Sequence, residues 1–204
     1  MLRAQDLSAK KGRLTLFQQL NFELLPGQWL FVCGGNGSGK TTLLRILCGL
    51  GTPEEGQVLW KGEQAQAHSE VLRQEMMYLG HSLGMKEELS ALENLRFNAQ
   101  LRGEKFDLFK TQEVLVTLGL KGREQLPLRV LSQGQKRRVA LAKLLLSSAR
   151  LWILDEPFVA LDPEGLQVLI QAIEAHLRAQ GLLVYTSHQR VDIDAPGQEV
   201  SLES

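Results

Sequence analysis

The stretch that decides the fold is Gly34-Gly35-Asn36-Gly37-Ser38-Gly39-Lys40-Thr41. It matches the spacing G-x-x-x-x-G-K-[ST], in which a glycine-rich turn is followed by a lysine and a hydroxyl residue. An apolar run at 29–33 precedes it, and an apolar helical pattern at 42–47 follows it. This order of strand, loop and helix is the context in which such a stretch wraps a polyphosphate. The sequence therefore predicts a phosphate-binding loop rather than an ordinary glycine-rich turn.

Each part of this loop has a chemical reason to be there. The glycines let backbone N–H groups approach phosphate oxygens, because no Cβ stands in the way. The helix that begins after the loop adds a partial positive charge at its N-terminus. Lys40 can reach the β- and γ-phosphates, and the hydroxyl of Thr41 can bind Mg²⁺. A polyphosphate together with Mg²⁺ is therefore the expected ligand.

The composition is that of an ordinary globular protein without a charge bias. The 204 residues are enough for one substantial core or for a core with an inserted subdomain. Lys plus Arg and Asp plus Glu both count 23, and the zero net charge argues against a broad nucleic-acid surface. Cys33 and Cys48 have neither disulfide nor metal spacing and are expected to be reduced, buried residues. No apolar stretch reaches the length of about 20 residues that a membrane-spanning helix needs, and the N-terminus lacks the apolar core of a signal peptide.

Strand and helix patterns alternate at both ends of the chain and enclose a helical block. Short strands are predicted within 17–24 and at 29–32, 56–62, 151–154 and 182–185. The last two are apolar throughout, as is typical of buried parallel strands. Helical spacing is found from about 89 to 147 and from 166 to 177. The pattern predicts an α/β protein in which a parallel-sheet nucleotide core is interrupted by a helical subdomain.

Polar residues follow both of the apolar strands. Asp155 and Glu156 come directly after 151–154, where ligands bind in open α/β sheets. Asp155 is placed to hold Mg²⁺ and Glu156 to act as general base on a water. Solvated carboxylates are the alternative, but Mg²⁺ and Lys40 would offset the cost of bringing the two acids together. His188 follows the second strand and could hydrogen-bond a γ-phosphate or orient the water, although a lone histidine is more often structural.

A second loop with a glycine precedes the longest helical pattern. Ser132 and Gln135 have the spacing of a capping box, which marks a helix start. With Gly134 between them, the same helix N-terminus could also bind a γ-phosphate. The basic run at 136–138 could be a nucleic-acid patch, but a solvated helix face is the preferred interpretation because the net charge is zero.

In this order and spacing the motifs resemble the ATP-binding cassette (ABC) ATPase family over essentially the whole chain. Residues 131–135 are similar to the family's signature, 151–156 to its Walker B strand, 161–162 to its D-loop and His188 to its switch histidine. The resemblance implies ATP and Mg²⁺ as ligands and an ATPase activity.

The resemblance also implies the domain organisation, namely a single ABC ATPase domain over 1–204. A P-loop NTPase core with a RecA-like parallel sheet, together with a small antiparallel β subdomain, would span 1–81 and 150–204. An inserted helical subdomain would span about 82–149.

Residue roles follow from the same resemblance. Glu156, His188 and Lys40 would be catalytic, and Thr41 and Asp155 would hold Mg²⁺. The residues expected to contact ATP are Gly34, Gly35, Asn36, Gly37, Ser38, Gly39, Lys40, Thr41, Thr42, His81, Ser132, Gly134, Gln135 and Asp162. In the head-to-tail homodimer of this family, the signature serine and glycine of one copy cover the ATP held by the phosphate loop of the other.

Four stretches are further similar to the haem-exporter ATPases of bacterial cytochrome c maturation. They are residues 79–86, 89–97, 134–142 and 151–158. This subgroup implies a peripheral protein on the cytoplasmic face of the inner membrane, paired with integral-membrane transporter subunits of the cytochrome c maturation type. ATP hydrolysis would energise haem handling or export. No nucleic-acid partner and no direct haem binding by this chain are expected.

Three features depart from the family pattern. His81 stands where most cassettes carry a glutamine that contacts Mg²⁺ and the attacking water. The haem-exporter subgroup usually has Gln-Pro after this histidine, whereas this chain has Ser82-Leu83. Gln133 replaces a small signature residue, so its side chain must point outward. The stretch 9–12 lacks an aromatic residue to stack on adenine. The ATPase of another exporter, a soluble non-transport ABC ATPase and a degenerate nucleotide-binding subunit stay open as alternatives.

Overall fold

The computed structural model describes residues 1–65, 69–80, 82–188 and 190–202. Within these ranges the strands are β1 (Leu2–Lys11), β2 (Leu14–Leu24), β3 (Trp29–Cys33), β4 (Glu55–Trp60), β5 (Glu63–Gln64), β6 (Met76–Leu79), β7 (Leu151–Leu154), β8 (Leu182–Thr186) and β9 (Gly197–Ser201). The helices are α1 (Lys40–Leu47), α2 (Glu70–Glu75), α3 (Ala91–Leu101), α4 (Leu108–Thr117), α5 (Gln133–Leu146) and α6 (Pro163–Arg178), with a 3-10 turn at Leu128–Val130.

One sheet is antiparallel and has the strand order β2-β1-β4-β5. Where the sequence predicts short strands within 17–24, the structure has the single long strand β2. The pairing of β1 with β2 shifts register several times, and Gln19 has a positive φ of 48°. A bulge of this kind changes the face that later side chains occupy. Phe17, Phe22 and Leu24 are therefore all buried although their spacing does not alternate strictly.

The other sheet positions the candidate site and has the order β6-β7-β8-β3-β9. Strand β3 runs parallel to β8 and β9, and β7 runs parallel to β8. Every residue of β7 and β8 is buried, as expected for strands covered on both faces. The strands predicted at 29–32, 151–154 and 182–185 are confirmed. Because β3, β7 and β8 are parallel, the residues that follow them meet at one edge of the sheet.

The predicted helical block is confirmed as α3, α4 and α5. Helix α3 begins with a capping box formed by Ser90 and Glu93. Its apolar face buries Leu92 and Leu95, and α4 buries Leu115. No helix in the described part of the chain is long and apolar enough to cross a membrane.

The chain divides into two compact units. The first comprises Met1–Tyr78, Ala149–Pro157 and Ile173–Ser204, and the second comprises Leu79–Ser148 and Phe158–Ala172. An aliphatic and aromatic core lies in the first unit, with β1, β2 and α1 as its main contributors. The burial of this surface holds the loop after β3 and the residues after β7 and β8 in fixed positions.

Candidate nucleotide-binding site

The predicted phosphate loop lies between β3 and α1, and two of its glycines are required by geometry. Gly34 and Gly39 have φ values of 142° and 104°, which side chains rarely adopt. A Cβ on Gly34 would lie 2.7 Å from Ser38 Oγ, and one on Gly39 would lie 2.9 Å from Leu16 Cβ. Gly39 is also the N-cap of α1 and provides no side-chain cap. The first turn of α1 thus has no side-chain acceptor from its cap, which leaves its N-terminus available to an anion.

Lys40 crosses this loop. Its Nζ donates to the carbonyl oxygens of Gly34, at 2.7 Å, and Gly35, at 3.1 Å. The Ser38 hydroxyl oxygen is buried and has no hydrogen-bond partner among the described residues. A buried polar atom without a partner is costly, and a phosphate oxygen within the loop would supply one. The loop therefore fits a polyphosphate.

Asp155 is the first of the two acids that follow strand β7. Its side chain is buried and accepts hydrogen bonds from two threonine hydroxyls. Thr41 Oγ1 lies 2.9 Å from Asp155 Oδ2, and Thr186 Oγ1 lies 2.8 Å from Asp155 Oδ1. A hydroxyl and a carboxylate in contact are the hard oxygen ligands that Mg²⁺ prefers, with phosphate and water oxygens completing its shell. Thr41 and Asp155 fit the metal that the sequence predicts.

Glu156 occupies a strained position beside Asp155. Its φ is 51°, a conformation that a residue other than glycine keeps only when its surroundings impose it. Its backbone N–H donates to Thr186 Oγ1 at 2.9 Å. Its Oε1 lies 3.6 Å from Nε2 of His188, whose side chain is 61% exposed. The structure thus brings together Lys40, Thr41, Asp155, Glu156 and His188 in the first unit.

Thr186 is the functional residue that the sequence reasoning missed. It is fully buried and binds both acids, donating to the side chain of Asp155 and accepting from the backbone of Glu156. The only available signal was its place at the end of an apolar strand, two residues before His188. A single sequence does not show which strand end faces which carboxylate.

The predicted capping box at the start of α5 is confirmed. Ser132 Oγ accepts from the Gln135 backbone N–H at 3.2 Å, and Gln135 Oε1 accepts from the Ser132 N–H at 3.0 Å. Gln133 is exposed, as the sequence requires of a bulky residue at this position. A Cβ on Gly134 would lie 3.5 Å from the Ala160 carbonyl oxygen, which is an ordinary van der Waals contact. The position therefore has room for a Cβ.

Asp162 lies at the start of α6, in the second unit. One of its carboxylate oxygens accepts from the Gly165 N–H at 3.0 Å, and the other pairs with Arg138. The Gly165 hydrogen bond and the Arg138 charge hold the pKa of this carboxyl below its usual range. Asp162 therefore caps α6 and is held in place as an anion.

The interpretation of 136–138 as a solvated helix face is wrong. Arg137 is buried, and Arg138 binds Asp162 and the Leu118 carbonyl oxygen. Lys136 Nζ lies 2.7 Å from Glu87 Oε1. The charge count could not reveal this, because net charge does not report where neighbouring segments place their carboxylates and carbonyls.

His81, the residue at the position of the family's glutamine, lies outside the described residues. The other predicted site residues fall into two sets. The phosphate loop, Thr42, Asp155, Glu156 and His188 belong to the first unit, whereas Ser132, Gly134, Gln135 and Asp162 belong to the second.

Comparison with known proteins agrees with this geometry. The ABC transporter family model matches residues 17–159. The cytochrome c biogenesis ATP-binding export protein CcmA of Albidiferax ferrireducens is 48% identical over 204 residues, covering 100% of this chain and 97% of that protein.

Solved structures share the architecture. The ATP-binding subunit of an ABC transporter is 26% identical, with a TM-score of 0.82 over 92% of this chain and 80% of that chain. A dimeric structure of a bacterial ABC transporter cassette is 21% identical, with a TM-score of 0.81 over 93% of this chain and 88% of that chain. These likenesses confirm the predicted fold class, a parallel-sheet core accompanied by a separate antiparallel sheet.

Proposed function

Because this chain belongs to the ABC transporter family of ATP-binding proteins, we propose that it is the ATP-hydrolysing subunit of a membrane export system for cytochrome c biogenesis. The observation that carries the proposal is the arrangement at one sheet edge. There, an uncapped helix N-terminus follows β3, and the acids Asp155 and Glu156 follow β7. The cytochrome c assignment is supported by the 48% identity to the export protein over the full chain.

ATP would bind through its phosphates. The loop from Gly34 to Thr42 would surround the β- and γ-phosphates, and the buried Ser38 hydroxyl would gain a partner there. Lys40 would exchange its two carbonyl contacts for phosphate oxygens. Mg²⁺ held by Thr41 and Asp155 would neutralise charge on the β- and γ-phosphate oxygens.

Hydrolysis would require a base for the attacking water. Glu156 is the candidate, since its carboxylate is partly buried beside Asp155 and His188. His188 would orient the water or donate a hydrogen bond to the γ-phosphate. The backbone of Glu156, fixed by Thr186, would hold the carboxylate at the correct side of the phosphate.

The second set of residues would act on the ATP of a second copy of this chain. Ser132, Gly134 and Gln135 open helix α5, whose N-terminus suits an anion, and Asp162 opens α6. We propose that they cover the nucleotide bound to the partner's phosphate loop, as in the family's head-to-tail dimer. His81 would contact the metal or the water of its own copy.

The complex would include integral-membrane subunits of the cytochrome c maturation type. We propose a peripheral location on the cytoplasmic face of the bacterial inner membrane, where ATP hydrolysis energises haem handling or export. We expect no contact of this chain with haem or with nucleic acid. The zero net charge supports the absence of a nucleic-acid partner.

Affinity capture of a tagged Glu156→Gln chain from its native membranes in mild detergent, with mass spectrometry of the retained proteins, tests the proposal. We expect membrane subunits of cytochrome c maturation, in amounts that rise with ATP. Capture of a different permease would refute the cytochrome c role and keep the transport ATPase. Capture of ribosomes, DNA or nothing would contradict the transport role itself.

A further inference from the structure

Lys143 is a buried cation that the proposed ATPase mechanism does not use. It lies on α5, and only 8% of the residue is exposed. Its Nζ donates to the carbonyl oxygens of Leu83, at 2.8 Å, and Gly84, at 3.1 Å. Both carbonyls belong to the segment 82–90, which links β6 to α3. This segment is called the clamp segment below.

Among the described residues, no carboxylate forms an ion pair with this ammonium group, and the two acids of the adjoining cavity are engaged elsewhere. Lys143 lines a cavity of about 540 Å³ whose wall also contains Glu104 and Asp107. Glu104 binds Arg102 at 3.1 Å and Ser148 at 3.0 Å, and Asp107 caps α4. Burial lowers the pKa of Lys143 from its ordinary value to about 8. The protein therefore keeps a costly buried charge whose visible partners are two backbone carbonyls of the clamp segment.

Two further side chains fasten the same segment. Asn94 of α3 is 4% exposed and accepts from the Lys86 N–H at 2.8 Å. It also donates to the carbonyls of Lys86 and Leu89, at 2.9 and 3.1 Å. On the other side, Lys136 of α5 binds Glu87 at 2.7 Å. The clamp segment is thus attached to α3 by one residue and to α5 by two.

We propose that Lys143 is a positioning residue that fastens the clamp segment to helix α5, so that the segment and Ser132 move as one unit. Lys143 and Ser132 are eleven residues apart on α5 and its cap, a distance of about 17 Å along a rigid helix. A displacement of the clamp segment would be carried to the helix start through α5, in addition to the backbone hydrogen bonds that join Glu87 and Leu89 to Arg129 and Leu128. The role rests on the proposed function, in which the chain works with membrane subunits and Ser132 acts on the partner's ATP.

Amide hydrogen exchange of the full-length chain tests the clamp without requiring activity. Lys143→Met removes the donors and is expected to fold, since an apolar side chain of similar length replaces a buried charge. Exchange in 82–90 is expected to become about tenfold faster, while exchange in 34–43 stays unchanged. Lys143→Arg, which restores the donors, is expected to bring exchange back toward that of the wild type. Lys105→Met, which removes an exposed lysine from the same cavity wall, is the matched control.

A second pair of measurements separates positioning from general destabilisation. With membrane subunits present, Lys143→Met is expected to lose about fivefold or more of the stimulated ATPase rate, with the Kd for ATP unchanged. Lys143→Arg should recover that rate. Lys136→Met, which removes the ion pair with Glu87, should give a smaller loss of the same kind.

Two outcomes would contradict the proposed positioning role of Lys143. One is exchange in 82–90 that stays at the wild-type rate in both Lys143→Met and Lys136→Met. The other is a stimulated rate that Lys143→Arg does not restore. If the wild-type chain hydrolyses no ATP with its membrane subunits, the proposed function fails and the coupling role fails with it. Hydrogen exchange would still decide separately whether Lys143 holds the segment.

Discussion

The hydroxyl of Thr186 hydrogen-bonds both acids of the candidate site. It donates to the Asp155 carboxylate at 2.8 Å and accepts from the Glu156 N–H at 2.9 Å. One buried atom therefore fixes both the side chain that would hold Mg²⁺ and the backbone of the proposed base. The positive φ of Glu156 is maintained in part by this contact.

Thr186→Val tests this role with almost no change in shape. The substitution leaves a buried carboxylate oxygen and a backbone N–H each short of a partner. We expect the free energy of unfolding to fall by about 1–3 kcal/mol. The ATPase kcat should fall as well, because Glu156 loses its anchor. Urea denaturation and steady-state ATPase assays measure the two effects.

Thr186→Ser provides the matched control, because it keeps the hydroxyl and loses only a methyl group. It should retain most of the wild-type kcat. Equal kcat values for the valine and serine variants would contradict the anchoring role of the hydroxyl.

At the residue scale, the sequence predicted which residues suit the ligand better than it predicted which side chains contact one another. Asp155, Lys40 and Thr41 could be chosen because their types and spacing suit a polyphosphate with Mg²⁺. Thr186 and the Arg138–Asp162 pair could not be chosen, because their partners are distant in the chain. A single sequence records residue types, whereas these contacts depend on how strands and helices pair.

At the element scale, strand β7 and helix α6 meet through an aromatic stack. The rings of Trp152 and His176 are 4.0 Å apart and tilted by only 7°. His176 Nε2 lies 3.2 Å from the Leu182 carbonyl oxygen at the start of β8. Burial lowers the pKa of His176, since the charged imidazolium would lose its hydration there. The packing thus favours the neutral ring.

This packing predicts a sensitivity of stability to acid. His176 in the unfolded chain takes up a proton near its ordinary pKa of about 6.5, above the lowered pKa of the folded state. Its contribution to stability is therefore present above about pH 6.5 and lost as pH falls through the folded-state pKa. In His176→Phe, the part of the acid-induced loss that comes from this residue should disappear.

Urea denaturation at about pH 7.5 and about pH 5 measures the difference. The variant is expected to lose less unfolding free energy than the wild type between the two values. An identical loss in both proteins would show that His176 does not titrate in this range.

Strands and helices differ in how well the sequence predicts them. The buried strands β3, β7 and β8 were predicted because each is an unbroken apolar run. Strand β9 was not predicted, because its residues alternate between exposed and half-buried and form no such run. Its place in the sheet depends on pairing with β3, far away in the chain. The helices were easier, since their apolar spacing is local.

At the scale of the whole molecule, the residues proposed to act on ATP fall into both compact units of the chain. Residues proposed to bind ATP in one copy and residues proposed to cover it in the other belong to different units. A second copy would then complete each site, and ATP would join the copies. The zero net charge offers no strong overall repulsion to such a dimer.

Glu156→Gln should form a dimer with ATP and Mg²⁺ but not with ADP, because bound ATP persists when hydrolysis is blocked. Adding Ser132→Arg should prevent the dimer and leave the Kd for ATP unchanged, since Ser132 is proposed to contact only the partner's nucleotide. Sedimentation velocity measures the first property and nucleotide titration the second. A dimer that forms equally well with Ser132→Arg would contradict the composite site.

The most direct test of Glu156 as the base is a single-turnover measurement of phosphate release from bound ATP by the wild-type chain and by Glu156→Gln. We expect equal amounts of ATP bound at the start and a rate that is lower by about 100-fold or more in the variant, because only the base is removed. Phosphate release at the wild-type rate by Glu156→Gln would contradict this role.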